Sequence, residues 1–452
     1  MIEQIKVEPY RNFYEAALAF TFDHETSFRR NFDEMIWIKK IKVRIEELYN
    51  FLFYPRFPLS WPYGCGLGHR IGAENIKKIF DKYDVHGTWY CTGYALLFGN
   101  IQKKKFCNNP ILSYATKEAN FPQGAWWRSK YPSFYYDPFS NYKKNPEWYF
   151  GDQIKRFYES GEDIQSHTFS HLHIALETPD RVDIDLREWQ NAAKKLGIPP
   201  AKSLAFPWGS FIYAIDKKSG VRKLHTWKYI DETAITKRIS NEICEVLVKN
   251  GIKVVTRIPG VHQKLNPYRI NKIEKFPEID IFPDTLFNTR TKNIEKYYEE
   301  VNMIIKNKGV GSFWCHPGDV FQRKEIKNFK LLVKYAKEKM GEGVLWIAPL
   351  TTIWQHLKDI KRLSISIQKI DSKLLVLVKN NNHHPIKGVT IKTPFKIQSV
   401  KINNLDYFNF REDKMCLPIM KANETLKCLF NPCDRYTANI KFLEDNNFNR
   451  MP

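Results

Sequence analysis

Hydrophobic and polar positions alternate between strand and helix patterns from about residue 16 to residue 360. Short apolar runs predict strands at residues 17–22, 87–92, 163–166, 203–206, 253–257, 311–315 and 344–348. Segments with helical periodicity lie between them, at residues 73–83, 148–160, 181–196, 236–250, 293–308 and 325–340. Strands that alternate with helices indicate a parallel sheet. We therefore predict an α/β fold, a distorted (β/α) barrel of seven or eight strands, with the eighth near residues 271–276.

The pattern changes after residue 359, and this change predicts a second domain. Residues 364–443 show alternating or apolar runs separated by Asn-, Gly- and Pro-bearing turns, which is typical of a small all-β domain. We assign residues 1–360 to the barrel and residues 444–452 to a polar tail. Two insertions, at about residues 26–68 and 99–146, follow strand ends and are expected at the mouth of the barrel. Each insertion could form a lid or a wall of the substrate site, or it could pack on the barrel without contacting the substrate. For residues 33–53 a helix on a membrane surface is a further option.

The charge balance is strongly basic, with 71 Lys and Arg against 49 Asp and Glu and a formal net charge of +22. The basic residues are spread along the chain, and their longest run is residues 103–105, so we expect no nucleic-acid partner. A solvated surface explains the charge, and attraction to an anionic glycan or membrane face is the weaker option. No apolar run predicts an export signal or a transmembrane segment, and the eight cysteines form no CxxC motif. These features predict a protein with reduced cysteines in the cytoplasm.

The candidate chemistry lies where the predicted strands end. His167 and His171 are four residues apart, a spacing that on one helical turn would let both imidazoles bind one cation, although such pairs are often inert. The first strand runs into Asp23, His24 and Glu25, and two carboxylates so close to an apolar strand are costly to bury without a compensating charge. The third strand after the pair of histidines ends before a lone His316. We therefore expect a site at one rim of the barrel.

Four motifs resemble, in order and spacing, those of the polysaccharide deacetylases (NodB-homology fold, carbohydrate esterase family four). They are Thr-Phe-Asp at residues 21–23, His-Thr-Phe-Ser-His at 167–171, Phe-Pro-Trp-Gly at 206–209 and Cys-His-Pro at 315–317. Residues 70–72, 87–90 and 345–349 also resemble segments of this family. The resemblance covers roughly residues 16–357 without the two insertions.

This resemblance implies one divalent metal, for which zinc is expected, and hydrolysis of an N-acetyl or related amide on a carbohydrate substrate. The implied catalytic residues are Asp23 as base and His316 as acid. A backbone N–H near Trp208 would stabilise the oxyanion, and Pro207 and Trp208 are the implied substrate-binding residues. Without an export signal, an intracellular glycan precursor is the expected substrate. The alternatives are a catalytically inactive glycan-binding or scaffold protein and a hydrolase of a small non-peptide amide.

The metal ligands that we expect are His167, His171 and one group from the end of the first strand. Because side chains alternate along a strand, Asp23 and Glu25 should point the same way, which favours Glu25 over His24 as the third ligand. The chain would have to curl at the strand end to bring His24 inward.

The chain departs from the family at Ala205, where many members carry an arginine that orients the base. This role must then fall to another cation, and three are candidates: Arg257, Arg269 and Lys272.

Overall fold

The computed structural model describes residues 5–25, 64–106, 137–172, 174–217, 222–224, 234–258, 268–273 and 275–433. Its first fourteen strands are β1 Lys6–Val7, β2 Ala16–His24, β3 Thr88–Cys91, β4 Asp163–Ser166, β5 Ser203–Ala205, β6 Ile212–Asp216, β7 Arg222–Leu224, β8 Ala234–Arg238, β9 Val254–Thr256, β10 Asn271–Ile273, β11 Phe276–Ile281, β12 Thr285–Leu286, β13 Val310–Cys315 and β14 Leu345–Ile347. Its α-helices are α1 Gly64–Tyr83, α2 Gly151–Glu159, α3 Pro179–Lys195, α4 Asn241–Lys249, α5 Glu295–Lys306, α6 Arg323–Gly341 and α7 Leu350–Asp359.

Ten of these strands form one curled sheet in the order β10-β11-β9-β5-β4-β3-β2-β13-β12, with β14 also beside β2. All neighbours are parallel except β10 and β11, which form an antiparallel pair. The predicted α/β barrel is confirmed, as a sheet that in the described residues stays open between β10 and β12. It has more strands than predicted because β12 is only two residues long and β11 contains Pro, Glu and Asp, which hide the apolar signal.

Strand β2 lies in the middle of this sheet, and all nine of its residues are buried. Its even-numbered residues from Ala16 to Phe22 pack in the larger core with the helices, whereas Ala17 and Ala19 pack in a second core on the other face. Because side chains alternate along a strand, the face of Ala17 and Ala19 continues into Asp23. The strand therefore carries its carboxylate on the inner face of the curled sheet.

One predicted helix is partly wrong. The helix expected over residues 236–250 begins only at Asn241, where the Ser240 hydroxyl accepts a hydrogen bond from the Ile243 N–H. The residues before it form β8, which pairs with β6 in a three-stranded antiparallel sheet with β7. The run Ala-Ile-Thr-Lys-Arg has the branched residues of a strand, and tertiary pairing decides between the two patterns.

The described residues 363–433 contain strands and no helix, as predicted. Its strands are β15 Leu363–Ile370, β16 Lys373–Asn380, β17 Thr390–Lys392, β18 Ile397–Ile402, β19 Leu405–Tyr407, β20 Phe410–Arg411, β21 Lys414–Cys416 and β22 Thr425–Pro432. They form a five-stranded sheet, β15-β16-β22-β18-β19, and a four-stranded sheet, β1-β17-β21-β20, around one hydrophobic core. The four-stranded sheet takes β1 from the beginning of the chain. The predicted domain boundaries at residues 360 and 364 stay a prediction.

Several predictions fall on residues that the structure does not describe. Most of the two predicted insertions, residues 26–63 and 107–136, and the predicted polar tail lie outside the described residues. No helix within the described ranges is long and apolar enough to span a membrane. Six cysteines in the described part of the chain are unpaired: Cys91, Cys244, Cys315, Cys416, Cys428 and Cys433.

Candidate active site and metal centre

The end of β2 presents two carboxylates to one face and an imidazole to the other. Asp23 and Glu25 are 3% and 6% exposed and point toward the inner face of the sheet. His24 points the opposite way, where its ring packs against Phe150 and its Nε2 lies 3.2 Å from Gln153 Oε1. The alternation expected from the sequence therefore holds through Glu25, and the chain does not curl to bring His24 inward.

The histidine pair lies on a bend after β4, so the predicted helical turn is wrong. Thr168 and His171 have φ angles of 59° and 56°, which are left-handed and not helical. The fully buried carboxylate of Asp185 holds this bend, because it accepts hydrogen bonds from the backbone N–H groups of Phe169 and Ser170. Both imidazoles nevertheless meet, because the bend rather than a helix turns them toward the inner face.

Glu25 contacts both of these imidazoles. Its Oε1 lies 3.1 Å from His171 Nε2 and 3.5 Å from His167 Nε2. The three ligand atoms lie within 4.8 Å of one another. Among the described residues, no other group of three His, Cys, Asp or Glu side chains brings its ligand atoms this close together. A tetrahedral zinc ion with bonds of about 2.1 Å separates its ligand atoms by about 3.4 Å. The buried Glu, His and His cluster therefore fits a divalent metal in both donor chemistry and spacing.

Neighbouring groups give the side chains of this cluster the orientation and charge that binding of a cation requires. His167 Nδ1 lies 2.9 Å from the carbonyl oxygen of Ala205, so the Nδ1–H donates to that oxygen and Nε2 faces Glu25. Burial opposes ionisation of Glu25, but the imidazoles of His171 and His167 hold the pKa of Glu25 well below its usual range. Burial lowers the pKa of His171, which favours the neutral imidazole that a metal requires.

Asp23 is paired with Arg257, one of the three cations proposed from the sequence. Arg257 Nε lies 3.1 Å from both carboxylate oxygens of Asp23, and Nη2 lies 2.9 Å from Asp23 Oδ1. Burial raises the pKa of Asp23, but the charge of Arg257 outweighs it and holds that pKa below its usual value. Arg257 is fixed in turn by Asp284, whose Oδ2 lies 2.8 Å from Nη1, and by the ring of Trp314, 4.4 Å from the guanidinium carbon. Asp23 is therefore ionised and held in one orientation.

Arg257 also has the backbone conformation of a constrained site. Its φ is 63°, and its N–H donates to Asp284 Oδ2 over 2.9 Å. A left-handed arginine persists only where its surroundings fix it. The other two candidate cations do not reach Asp23: the structure shows Lys272 Nζ donating to the Pro277 carbonyl and gives Arg269 no contact with the carboxylate.

His316 completes the cluster from the end of β13. Its Nε2 lies 3.4 Å from Glu25 Oε1, and its Nδ1 lies 3.3 Å from Asp319 Oδ2. Burial lowers the pKa of His316, but hydrogen bonds to Asp319 and Glu25 outweigh it and raise that pKa well above its usual value. The ring is about one-third exposed, so it borders the open side of the cluster.

The predicted substrate-binding turn forms a short 3-10 helix, Pro207–Gly209, directly after β5. Pro207 is buried, and the side chain of Trp208 lies outside the part of the chain that the structure describes. The roles assigned to both residues stay predictions.

Sequence reasoning missed several groups that the fold brings to the site. His69 on α1 accepts a hydrogen bond from the Glu25 N–H over 3.3 Å, and Asp185 on α3 holds the histidine bend. A helix-face histidine and a buried helical aspartate give no local signal, because both act through contacts that are distant in sequence. Asp319 could have been predicted from the sequence, because it lies three residues after His316 in a turn.

The fold and the cluster together define a (β/α) barrel protein with a candidate metal centre at the carboxyl ends of its strands. Residues 68–230 match the family model described as polysaccharide deacetylase. The resemblance predicted from the motifs is thus confirmed: the chain is related to the polysaccharide deacetylases through this segment, which contains His167 and His171.

Similar solved structures are distant. A protein from Mycobacterium smegmatis that is assigned to the polysaccharide deacetylases by inference has a TM-score of 0.44 at 11% identity, covering 82% of this chain and 100% of that one. Peptidoglycan deacetylase PdaC from Bacillus subtilis has a TM-score of 0.32 at 10% identity, covering 78% and 94%. These low scores add no argument about function. No curated protein matches the sequence.

Proposed function

We propose that this protein is a metal-dependent hydrolase that removes an N-acetyl group from an amino-sugar glycan or glycan precursor. One observation carries the proposal: the buried carboxylate of Glu25 lies within 3.1–3.5 Å of the Nε2 atoms of His167, His171 and His316, beside the ionised Asp23. A metal-dependent hydrolytic site needs a metal ion, a general base and a general acid close together. These side chains can bind the ion and act as base and acid.

Glu25, His167 and His171 would hold the cation, and one carboxylate with two neutral imidazoles suits zinc and its first-row neighbours. When bound, such a cation polarises the amide carbonyl and lowers the pKa of a water molecule. His24 has no part in this cluster, because it faces Phe150 and Gln153 on the other side of β2.

Asp23 acts as the general base. Water adds to the carbonyl carbon of the acetamido group while Asp23 accepts one proton from that water. Arg257 keeps Asp23 ionised and aligned, so the carboxylate is ready to accept a proton at neutral pH. This arginine comes from the end of β9, and it takes the place of the family arginine that is Ala205 here.

His316 acts as the general acid. The bond between the carbonyl carbon and the nitrogen breaks as His316 Nε2 gives a proton to the leaving amine, which yields acetate and a free amino group. Asp319 binds Nδ1 and thereby directs Nε2 toward the cluster. The raised pKa of His316 keeps this proton available at neutral pH.

Support for a glycan substrate comes from the description of the matched family model. The turn with Pro207 and Trp208 lies at the end of β5 next to Ala205, whose carbonyl binds His167, so this turn borders the site. An anionic glycan is compatible with the net charge of +22. We place Pro207 and Trp208 on the substrate side for these reasons.

The test is acetate release by the purified full chain from N-acetylglucosamine oligomers, with metal content measured on the same preparation. Asp23→Asn is expected to lower kcat about 10²- to 10⁴-fold while keeping the metal, because a base is removed and no ligand is. Asp84→Asn is the matched control, since Asp84 is 91% exposed.

Full activity of Asp23→Asn would refute the assignment of the base. Metal binding by the parent without turnover of any acetylated sugar would favour the glycan-binding alternative. Turnover of small cyclic amides alone would favour the hydrolase of a small non-peptide amide.

A further inference from the structure

His69 is the buried histidine next to the cluster for which the proposed reaction gives no role. It lies on α1 with 8% exposure, and its Nδ1 accepts the hydrogen bond from the Glu25 N–H at 3.3 Å. An imidazole that accepts through Nδ1 carries its proton on Nε2 when neutral.

The peptide between His24 and Glu25 is held at both of its polar atoms. The His24 carbonyl oxygen accepts a hydrogen bond from the Thr92 N–H over 3.2 Å, and the Glu25 N–H donates to His69. Strand β2 ends at His24, so the Glu25 N–H lies beyond the last residue of the ladder. His69 thus supplies the acceptor that a neighbouring strand would otherwise give.

Two glycines allow α1 and the turn after His316 to approach each other closely around His69. A Cβ on Gly72 would lie 1.7 Å from the Pro317 carbonyl oxygen, which shows how closely α1 approaches the turn after His316. A Cβ on Gly318 would lie 2.8 Å from His69 Cδ2. The imidazole is therefore enclosed between the end of β2 and the turn that carries the proposed acid.

We propose that His69 is a positioning residue that fixes the His24–Glu25 peptide and so keeps Glu25, rather than His24, in the metal cluster. The two side chains lie on opposite faces of the chain, and a change in the backbone angles next to this peptide would turn Glu25 away from the histidines. The proposal rests on the proposed function, because it assumes that Glu25, His167 and His171 bind the metal.

The test compares three substitutions of His69 by their zinc dissociation constants, measured against a chromophoric chelator. His69→Asn places an acceptor oxygen where Nδ1 lies and is expected to keep the zinc affinity of the parent. His69→Gln carries the same amide at the position of Nε2, and His69→Leu carries no acceptor. Both are expected to weaken zinc binding about 10-fold or more, as loss of a group that orients a ligand does.

Rescue by asparagine distinguishes positioning from a merely structural role. Equal weakening by His69→Asn and His69→Gln, or parental affinity in His69→Leu, would overturn the proposal. Circular dichroism checks that each variant folds; if His69→Leu does not fold, the comparison of asparagine with glutamine decides.

If the parent binds neither zinc nor another divalent first-row metal ion, the proposed function fails and a second measurement decides the role of His69. Amide hydrogen exchange at Glu25 in the metal-free protein is expected to be slower in the parent and in His69→Asn than in His69→Gln. Equal exchange rates in the three proteins would overturn the positioning role.

Discussion

Replacing Arg257 by leucine removes the buried cation that Asp23 and Asp284 share. The side chains are 3%, 5% and 7% exposed in the order Arg257, Asp23 and Asp284, so water cannot replace the lost partner. Removing one member of a buried ion pair costs about 3–5 kcal/mol, because the remaining charge stays buried without compensation. We expect Arg257→Leu to lower the free energy of unfolding at pH 7 by this amount.

The matched control is Arg187→Leu, whose ion pair with Asp183 lies at the surface. Arg187 is 59% exposed, and Asp183 keeps Lys249 and Asn250 as partners, so a loss of about 1 kcal/mol or less is expected. Chemical denaturation of both variants measures the difference. A loss below about 1 kcal/mol for Arg257→Leu would refute the argument.

The same pair predicts how the difference depends on pH. Arg257 holds the folded-state pKa of Asp23 below its usual value, so its stabilisation is complete above about pH 4 and is lost as the pH falls through the folded pKa. In Arg257→Leu the lowering effect of Arg257 is lost, and we expect burial to raise the pKa of Asp23 against the smaller lowering effects of His167 and His316. The gap in stability between parent and variant should therefore narrow as the pH falls from 7 toward 4, and a constant gap would contradict this explanation.

Arg257→Lys separates the effect of orienting Asp23 from the effect of the positive charge beside it. Lysine keeps a cation but cannot form the fork that contacts both oxygens of Asp23, so kcat is expected to fall about 10²-fold. Metal content should stay at the parental level, because the side-chain hydrogen bonds described for Arg257 go to Asp23, Asp284 and the hydroxyls of Thr21 and Thr256. Parental kcat in Arg257→Lys would show that orientation of the base is not limiting.

Two further predictions concern the cluster itself. Glu25→Ala should lose the metal by elemental analysis while His24→Ala keeps it, because His24 faces away from the cluster; the reverse result would give the ligand role to His24. Asp185→Ala should weaken zinc binding about 10- to 100-fold in chelator competition, because the N–H groups of Phe169 and Ser170 lose their acceptor. Unchanged affinity in a folded Asp185→Ala protein would show that the bend holds its shape without this carboxylate.

The sequence allowed prediction of those features that local patterns determine. Apolar runs located the long parallel strands, and the period of two along the first strand correctly put Glu25 on the face of Asp23 and His24 on the other. The ends of parallel strands meet at one edge of a sheet, so the histidine pair, the carboxylates and His316 could be expected together.

Long-range contacts set the limits of that prediction. The spacing of His167 and His171 suggested a helical turn, but the carboxylate of Asp185 stabilises a left-handed bend that no local propensity indicates. Arg257 was one of three possible partners for Asp23, since the sequence does not tell which cation the closing of the sheet brings near. Residues 236–238 show the same effect, because pairing with a neighbouring strand outweighs their helical periodicity.

The pairing of β1 with β17 joins the beginning of the chain to a sheet formed near its end. Val7 lies opposite Ile391, so 384 residues separate the two partners. At roughly 5–20 residues per second, a ribosome needs on the order of 20 to 80 seconds between synthesis of the first partner and synthesis of the second. Strand β2, which begins nine residues after Val7, can meanwhile pair within the barrel. The four-stranded sheet is therefore completed only after the residues between its two partners have been synthesised, and the short length of β1 limits the unpaired edge that is exposed during this interval.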